Sequence, residues 1–159
     1  MRLALYQPEI AQNTGTLLRL CACMGIQLDI IEPCGFGLSD PGLKRAGMDY
    51  VELASYRRHE SWEAFRQSTL SRVVLLTPHT ELFYTAFTFR ADDVLLLGQE
   101  SSGVPHHVHH ACEAAIRIPM SPGRRSLNVA IAGAMVLGEA LRQTGLFPEM
   151  ESNHEPNRR

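Results

Sequence analysis

Apolar residues along this chain gather into short continuous runs, separated by stretches with helical spacing. Leu3 to Tyr6 is the first run, stopped by Pro8, and it predicts a buried strand. Asn13 then stands where a helix N-cap belongs, ahead of Leu17, Leu18, Cys21 and Met24 at helical spacing and Gly25 as the stop. Leu28-Asp29-Ile30-Ile31 predicts a second strand, ended by Glu32-Pro33. Cys34 to Gly42 reads as a loop from which Pro41 opens a short helix through Ala46, closed by Gly47. Tyr50 to Leu53 predicts a weak strand, and Ser61 caps a helix expected to reach Leu70, with Glu60 and Glu63 at its positive end. Val73 to Leu76 and Val94 to Leu97 are uninterrupted apolar runs, the pattern of strands covered on both faces. Between them, Phe83 to Phe89 is aromatic and β-prone and reads as an irregular or edge segment. Pro105 starts a helix through Ala111, Ala115 to Ile118 forms another strand, and Leu127 to Thr144 carries the strongest helical pattern. Beyond Phe147-Pro148 the residues are polar and lack an apolar face, so 149–159 is expected to be a disordered tail after one domain over 1–148.

Strands alternating with helices predict an α/β fold, a mainly parallel sheet with helices on both faces. Ligands of such sheets bind beyond the carboxyl ends of the strands. The loops after Leu76, Leu97 and Ile118 would meet there.

Composition narrows the function less than the pattern does. The formal charge of −2 means that any RNA site must be a local basic patch, within one subunit or shared across a dimer. Every basic residue except Lys44 is an arginine. Arginine's fork suits phosphate, but GC-rich coding produces the same bias. The four cysteines, Cys21, Cys23, Cys34 and Cys112, make no C-x-x-C pair, so neither a zinc ribbon nor a redox motif is indicated. Leu127 to Leu137, the longest uncharged apolar stretch, is too short to cross a bilayer. The opening segment runs into Pro8 and Glu9 rather than a secretory core. A cytoplasmic protein is the expectation.

Three segments carry candidate chemistry. In the first, Asn13-Thr14-Gly15 precedes Arg19. On a helix Gly15 and Arg19 share a face one turn apart, leaving room beside the guanidinium; taken alone, this segment reads first as an ordinary cap and a solvated arginine. The second is Leu97-Gly98-Gln99-Glu100-Ser101-Ser102-Gly103-Val104-Pro105, where two glycines flank a carboxylate between a strand and a helix. Such a loop can present backbone groups to a ligand. It is not G-x-G-x-x-G, and no P-loop occurs, which argues against dinucleotide or P-loop enzymes. The third runs Ile118-Pro119-Met120 and then Gly123-Arg124-Arg125-Ser126-Leu127-Asn128 into the last helix. Ser126 and Asn128 read locally as caps, and Arg124 with Arg125 is the adjacent basic pair beside this loop. Ala130, Ala134 and Gly138 repeat every four residues and leave a smooth helix face.

Together and in this order the segments closely resemble the SPOUT superfamily of methyltransferases, most of all its TrmL-like tRNA (cytidine/uridine-34 2′-O)-methyltransferase branch. The resemblance covers roughly Leu3 to Phe147 and includes Tyr6-Gln7-Pro8-Glu9-Ile10, Ile31-Glu32-Pro33, Gly35-Phe36 and Arg45-Ala46-Gly47-Met48-Asp49-Tyr50. It implies a C-terminal deep trefoil knot, a homodimer and S-adenosylmethionine as cofactor. By position, the cofactor would touch Leu76, Thr77, Gly98, Gln99, Glu100, Ile118, Met120, Ser126 and Leu127. Asn13, Arg19, Glu100, Ser126 and Asn128 match the family's catalytic polar positions, and Arg19, Arg124 and Arg125 are the RNA-binding candidates. The implied reaction is in-line attack of a ribose 2′-hydroxyl of wobble nucleotide 34 on the sulfonium methyl carbon. Neutralising an arginine at pH 7 costs about 7 kcal/mol or more, which favours Arg19 as an electrostatic partner of the forming alkoxide over a general base.

Two departures from the resembled pattern bear on substrate choice: Ser102 where relatives often carry a basic residue, and Gly138 where the branch often has an aromatic. Ribosomal RNA as substrate, or a catalytically silent RNA-binding protein, are the alternatives. His106, His107, His109 and His110 read as a solvated helix face rather than a metal site, which would want further ligands. Trp62 reads as core or interface, and His79 sits near the cofactor loop without an assigned role.

Overall fold

The computed structural model describes residues 1–37, 41–47 and 56–149, without the side chains of 44, 46 and 47. The expected strand at Tyr50 to Leu53 lies outside the described residues, as do Met48-Asp49-Tyr50 and the tail over 150–159. In chain order the elements are β1 (Arg2–Tyr6), α1 (Ala11–Met24), β2 (Gln27–Ile31), α2 (Pro41–Gly47), β3 (Tyr56–His59), α3 (Trp62–Gln67), β4 (Val73–Leu76), a 3-10 turn (Tyr84–Ala86), β5 (Val94–Leu97), α4 (His106–Ala111), β6 (Ala114–Ile116) and α5 (Val129–Thr144).

The six strands form one sheet in the order β3-β2-β1-β5-β4-β6, and every neighbouring pair is parallel. Side chains alternate across it. Leu3, Leu5, Leu28, Ile30, Val74, Leu95 and Leu97 face one core with α1 and α5. Ala4, Tyr6, Ile31, Val73, Leu75, Val94 and Leu96 face a second core with Trp62, Phe65 and Val108. Burial on both faces is why β1, β4 and β5 read as unbroken apolar runs. The one charge inside β2, Asp29, is fully buried and paired with Arg2 at 3.2 Å and with His59 Nε2 at 2.9 Å.

Several boundaries differ from the sequence expectation. Helix α1 begins at Ala11 with Ile10 as N-cap, so Asn13 lies inside its first turn and is not the cap. Gly25 ends it as expected, with φ 65° and its N–H on the carbonyls of Ala22 and Cys21. Ser61 does cap α3 by accepting from the Ala64 N–H, but the helix stops at Gln67 and Leu70 is fully exposed. Strand β6 spans Ala114–Ile116 and α5 begins at Val129, each displaced by one or two residues. Strand β3 carries no apolar run and was not expected. It forms the sheet edge with Tyr56, Arg57 and Arg58 exposed and His59 buried.

Candidate functional site

The strand order turns back between β1 and β5, and beyond the carboxyl ends of the strands on that side lies a cavity of about 530 Å³. The three loops expected to meet do so there: Leu76 ends β4 and Thr77, Pro78 and His79 follow it, Gly98 to Val104 follow β5, and Ile118 and Met120 follow β6. Arg125, Ser126, Leu127, Asn128 and Val129 close one side, Ile10 and Asn13 another.

The loop after β5 is folded back on itself. Gly103 donates its N–H to the Gln99 carbonyl (3.1 Å) and has φ 69°. A Cβ at Gly98 would stand 3.0 Å from the Gly103 carbonyl carbon and 3.1 Å from its Cα. Only glycine at position 98 allows two backbone segments to approach this closely. Gln99 donates to the Gln7 side chain (3.2 Å) and accepts from the Ser102 hydroxyl (2.6 Å). Ser101 donates both its N–H and its hydroxyl to the Glu9 carboxylate, each at 2.8 Å.

Glu100 returns the brace. Its carboxylate accepts from the Glu9 N–H (2.9 Å), the Ile10 N–H (3.4 Å) and Asn13 Nδ2 (3.3 Å). Ile10 has no side chain able to cap α1, so an anion from a distant loop supplies both acceptor and negative charge at that helix's positive end. Asn13 Oδ1 in turn accepts from Asn128 Nδ2 (2.9 Å). Asn128 Oδ1 then caps α5 by accepting from Ala130 N (2.9 Å) and Ile131 N (3.3 Å). Asn13, Glu100 and Asn128 therefore form one hydrogen-bonded chain that fixes two helix N-termini against the cavity loop.

All nine expected cofactor positions line this single cavity, together with Asn13, Asn128 and Arg125. Arg19 and Arg124 do not line it. Arg19 is exposed on α1, about 9 Å along the axis from Asn13 at 1.5 Å per residue. Arg124 lines a neighbouring cleft. Ser126 and Leu127 are exposed at the cavity, and Asn128 rather than Ser126 is the cap. Two titratable residues to which sequence reasoning gave no role also line the cavity: His79, expected near the cofactor loop, and His109, read as part of a solvated helix face. His109 is half-buried while His106, His107 and His110 are exposed. The signal was its helix, which follows the glycine loop after two residues.

No cysteine lines the cavity. Burial pushes the thiols of Cys21 and Cys112 up to about 12 and that of Cys34 to about 11, which disfavours thiolate chemistry at those positions. Among the described residues no three His, Cys, Asp or Glu side chains gather to hold a metal ion, and no helix is long and apolar enough to cross a membrane.

Comparison with known proteins places these features in context. The model of the SpoU rRNA Methylase family matches residues 1–138. A protein of Beijerinckia indica named tRNA (cytidine(34)-2'-O)-methyltransferase is 57% identical over 151 residues, covering 93% of this chain and 94% of that one. A solved structure concerned with 2-OH methylation of C/U34 on tRNA superposes with a TM-score of 0.86 at 42% identity, covering 89% of this chain and 94% of that one. An AdoMet-bound rRNA methyltransferase from Sinorhizobium meliloti superposes with a TM-score of 0.81 at 26% identity, covering 89% of this chain but 55% of that one.

Proposed function

The chain belongs to the SpoU rRNA Methylase family, and from that premise we propose that it methylates the ribose 2′-hydroxyl of nucleotide 34, a cytidine or uridine, in tRNA. The methyl donor is S-adenosylmethionine and the working form is a cytoplasmic homodimer. The observation that carries the reading is the convergence on one cavity of the nine cofactor positions that the family resemblance implies. Transfer RNA is preferred to ribosomal RNA because the Beijerinckia relative, matched nearly end to end, bears the tRNA name. The ribosomal neighbour is more distant and has a further part that this chain does not match.

The cavity suits the cofactor. Its volume lies in the ordinary range for small-molecule sites, about 300–1,000 Å³. Its walls combine apolar Leu76, Ile118, Met120 and Leu127 with polar Thr77, Gln99 and Ser126. The glycine at 98 lets the loop's two backbone segments close on each other at the cavity wall. When bound, S-adenosylmethionine supplies a methyl group already activated on a sulfonium sulfur.

The chain's own residues then have to orient, exclude water and ease proton loss. Asn13, Glu100 and Asn128 hold the loop 98–103 and the starts of α1 and α5 in register. Arg125, at the cavity, and Arg124 beside it bind backbone phosphate. Arg19 stabilises the forming alkoxide electrostatically. Since it stands away from the cavity of its own subunit, it acts across the dimer on the neighbouring one. The C-terminal trefoil knot implied by the family belongs to this reading, as does a single domain over 1–148.

Incubation with labelled S-adenosylmethionine and methyl-deficient tRNA, followed by nucleotide mapping, should place label at the 2′-oxygen of nucleotide 34. Absence of label from every ribose would sink the proposal. Arg19→Ala should lower transfer about 100- to 1,000-fold, the range for losing one group that stabilises developing negative charge. Calorimetric affinity for the cofactor should be retained in that variant.

A further inference from the structure

Next to the cofactor cavity lies a second cleft of about 320 Å³. The two share Pro78, Ile118, Met120 and Arg125, so their occupants would be neighbours. Three arginines, Arg117, Arg124 and Arg125, line the cleft, and no described carboxylate does. In a chain of net charge −2 this is the local basic patch that an RNA enzyme needs. One wall is aromatic. Phe83 is 39% exposed, and the Arg117 guanidinium carbon lies 5.0 Å from its ring centre.

Backbone bonds hold that wall. Phe83 and Arg117 form an isolated parallel bridge. The Arg117 N–H donates to the Leu82 carbonyl and the Tyr84 N–H to the Arg117 carbonyl, both at 2.9 Å. The guanidinium itself is weakly committed. Its Nη2 meets Glu81 at 3.2 Å, but the Glu81 side chain is 93% exposed, and such surface pairs contribute little. Its Nε is buried without a hydrogen-bond partner.

We infer that this cleft holds the nucleotide flanking the methylated one, its base stacked on the Phe83–Arg117 wall and its phosphate bound by Arg124 and Arg125. The inference rests on the RNA 2′-O-methylation reading above. Unpaired bases are gripped by stacking on aromatic rings and guanidinium planes, and arginine forks match phosphate oxygens. An aromatic–guanidinium wall on a bridged backbone, beside two further arginines, supplies both contacts.

The test uses two tRNA anticodon hairpins, with the fluorescent base 2-aminopurine on the 5′ or the 3′ side of nucleotide 34. They are titrated with the wild type, Phe83→Ala, Phe83→Leu and Phe83→Trp. One hairpin should be quenched by the wild type and by Phe83→Trp, but by neither Phe83→Ala nor Phe83→Leu. The RNA dissociation constant should rise about 5- to 150-fold for Phe83→Ala, the effect of one lost stack, with cofactor affinity unchanged. Equal quenching by all four proteins would overturn the inference. So would a parallel loss of cofactor affinity, which would make Phe83 a support of the cavity wall, or Phe83-dependent binding of a polyglutamate peptide without an effect on RNA. If the wild type methylates tRNA normally and the alanine variant binds RNA as tightly, only this subsite falls. If the wild type neither binds the hairpins nor methylates tRNA, the functional reading falls with it.

Discussion

A single carboxylate decides the geometry around the cavity. Glu100 accepts from the backbone of Glu9 and Ile10 and from the Asn13 amide, so one side chain caps a helix, anchors a loop and orients a second polar residue. Glu100→Gln keeps the size but replaces one acceptor oxygen with a donor facing other donors. Thermal denaturation should show a loss of about 1–3 kcal/mol, the cost of leaving partly buried groups unpaired, and calorimetry a weaker hold on the cofactor. An unchanged melting temperature would assign Glu100 a purely chemical role. The sequence flagged Glu100 through its flanking glycines and Asn13 through its place before an apolar face. It misread Asn13 as a cap because the partners that occupy it are 87 and 115 positions away. Local patterning carries no trace of such pairings. The same blindness applied to Phe83 and Arg117, whose adjacency comes from a bridge across 34 residues.

Among the elements, those buried on two faces were the most legible. β1, β2, β4 and β5 contribute side chains to both cores, so their apolar runs were continuous, broken only by Asp29 in β2, and their limits close to those read from the sequence. β3 was missed because an edge strand with one buried residue has no hydrophobic signature to read. Helix α5 was legible along its length, but not the reason for Gly133. A Cβ there would lie 3.0 Å from Leu17 Cδ2 and 3.0 Å from Leu97 Cδ1, so this glycine sets how closely α5 approaches both α1 and β5. Gly133→Ala should cost about 1–3 kcal/mol through overpacking, read as a lower denaturant midpoint with an unchanged slope. A midpoint equal to the wild type would mean that Leu17 and Leu97 repack freely.

For the whole molecule, the fold class and ligand end followed from element order, whereas assembly did not. Ile131 and Met135, four residues apart on α5, and Leu127 just before its cap remain 56%, 40% and 41% exposed, an apolar patch beside the cavity of the kind that marks an interface. In the proposed homodimer this patch is covered. Ile131→Glu should therefore sediment as a monomer and lose methyl transfer while keeping its secondary structure by circular dichroism. A fully active dimer would place the interface elsewhere. At the far margin of the sheet, β3 is the edge strand among the described residues and carries exposed Arg57 and Arg58, the latter paired with Glu32 at 2.6 Å. An unpaired ladder is a template on which a foreign chain can add a strand, and positive charges placed along it discourage that addition. The unexpected polar strand thus works as a guard against aggregation, most needed while a sheet built from distant segments is still assembling.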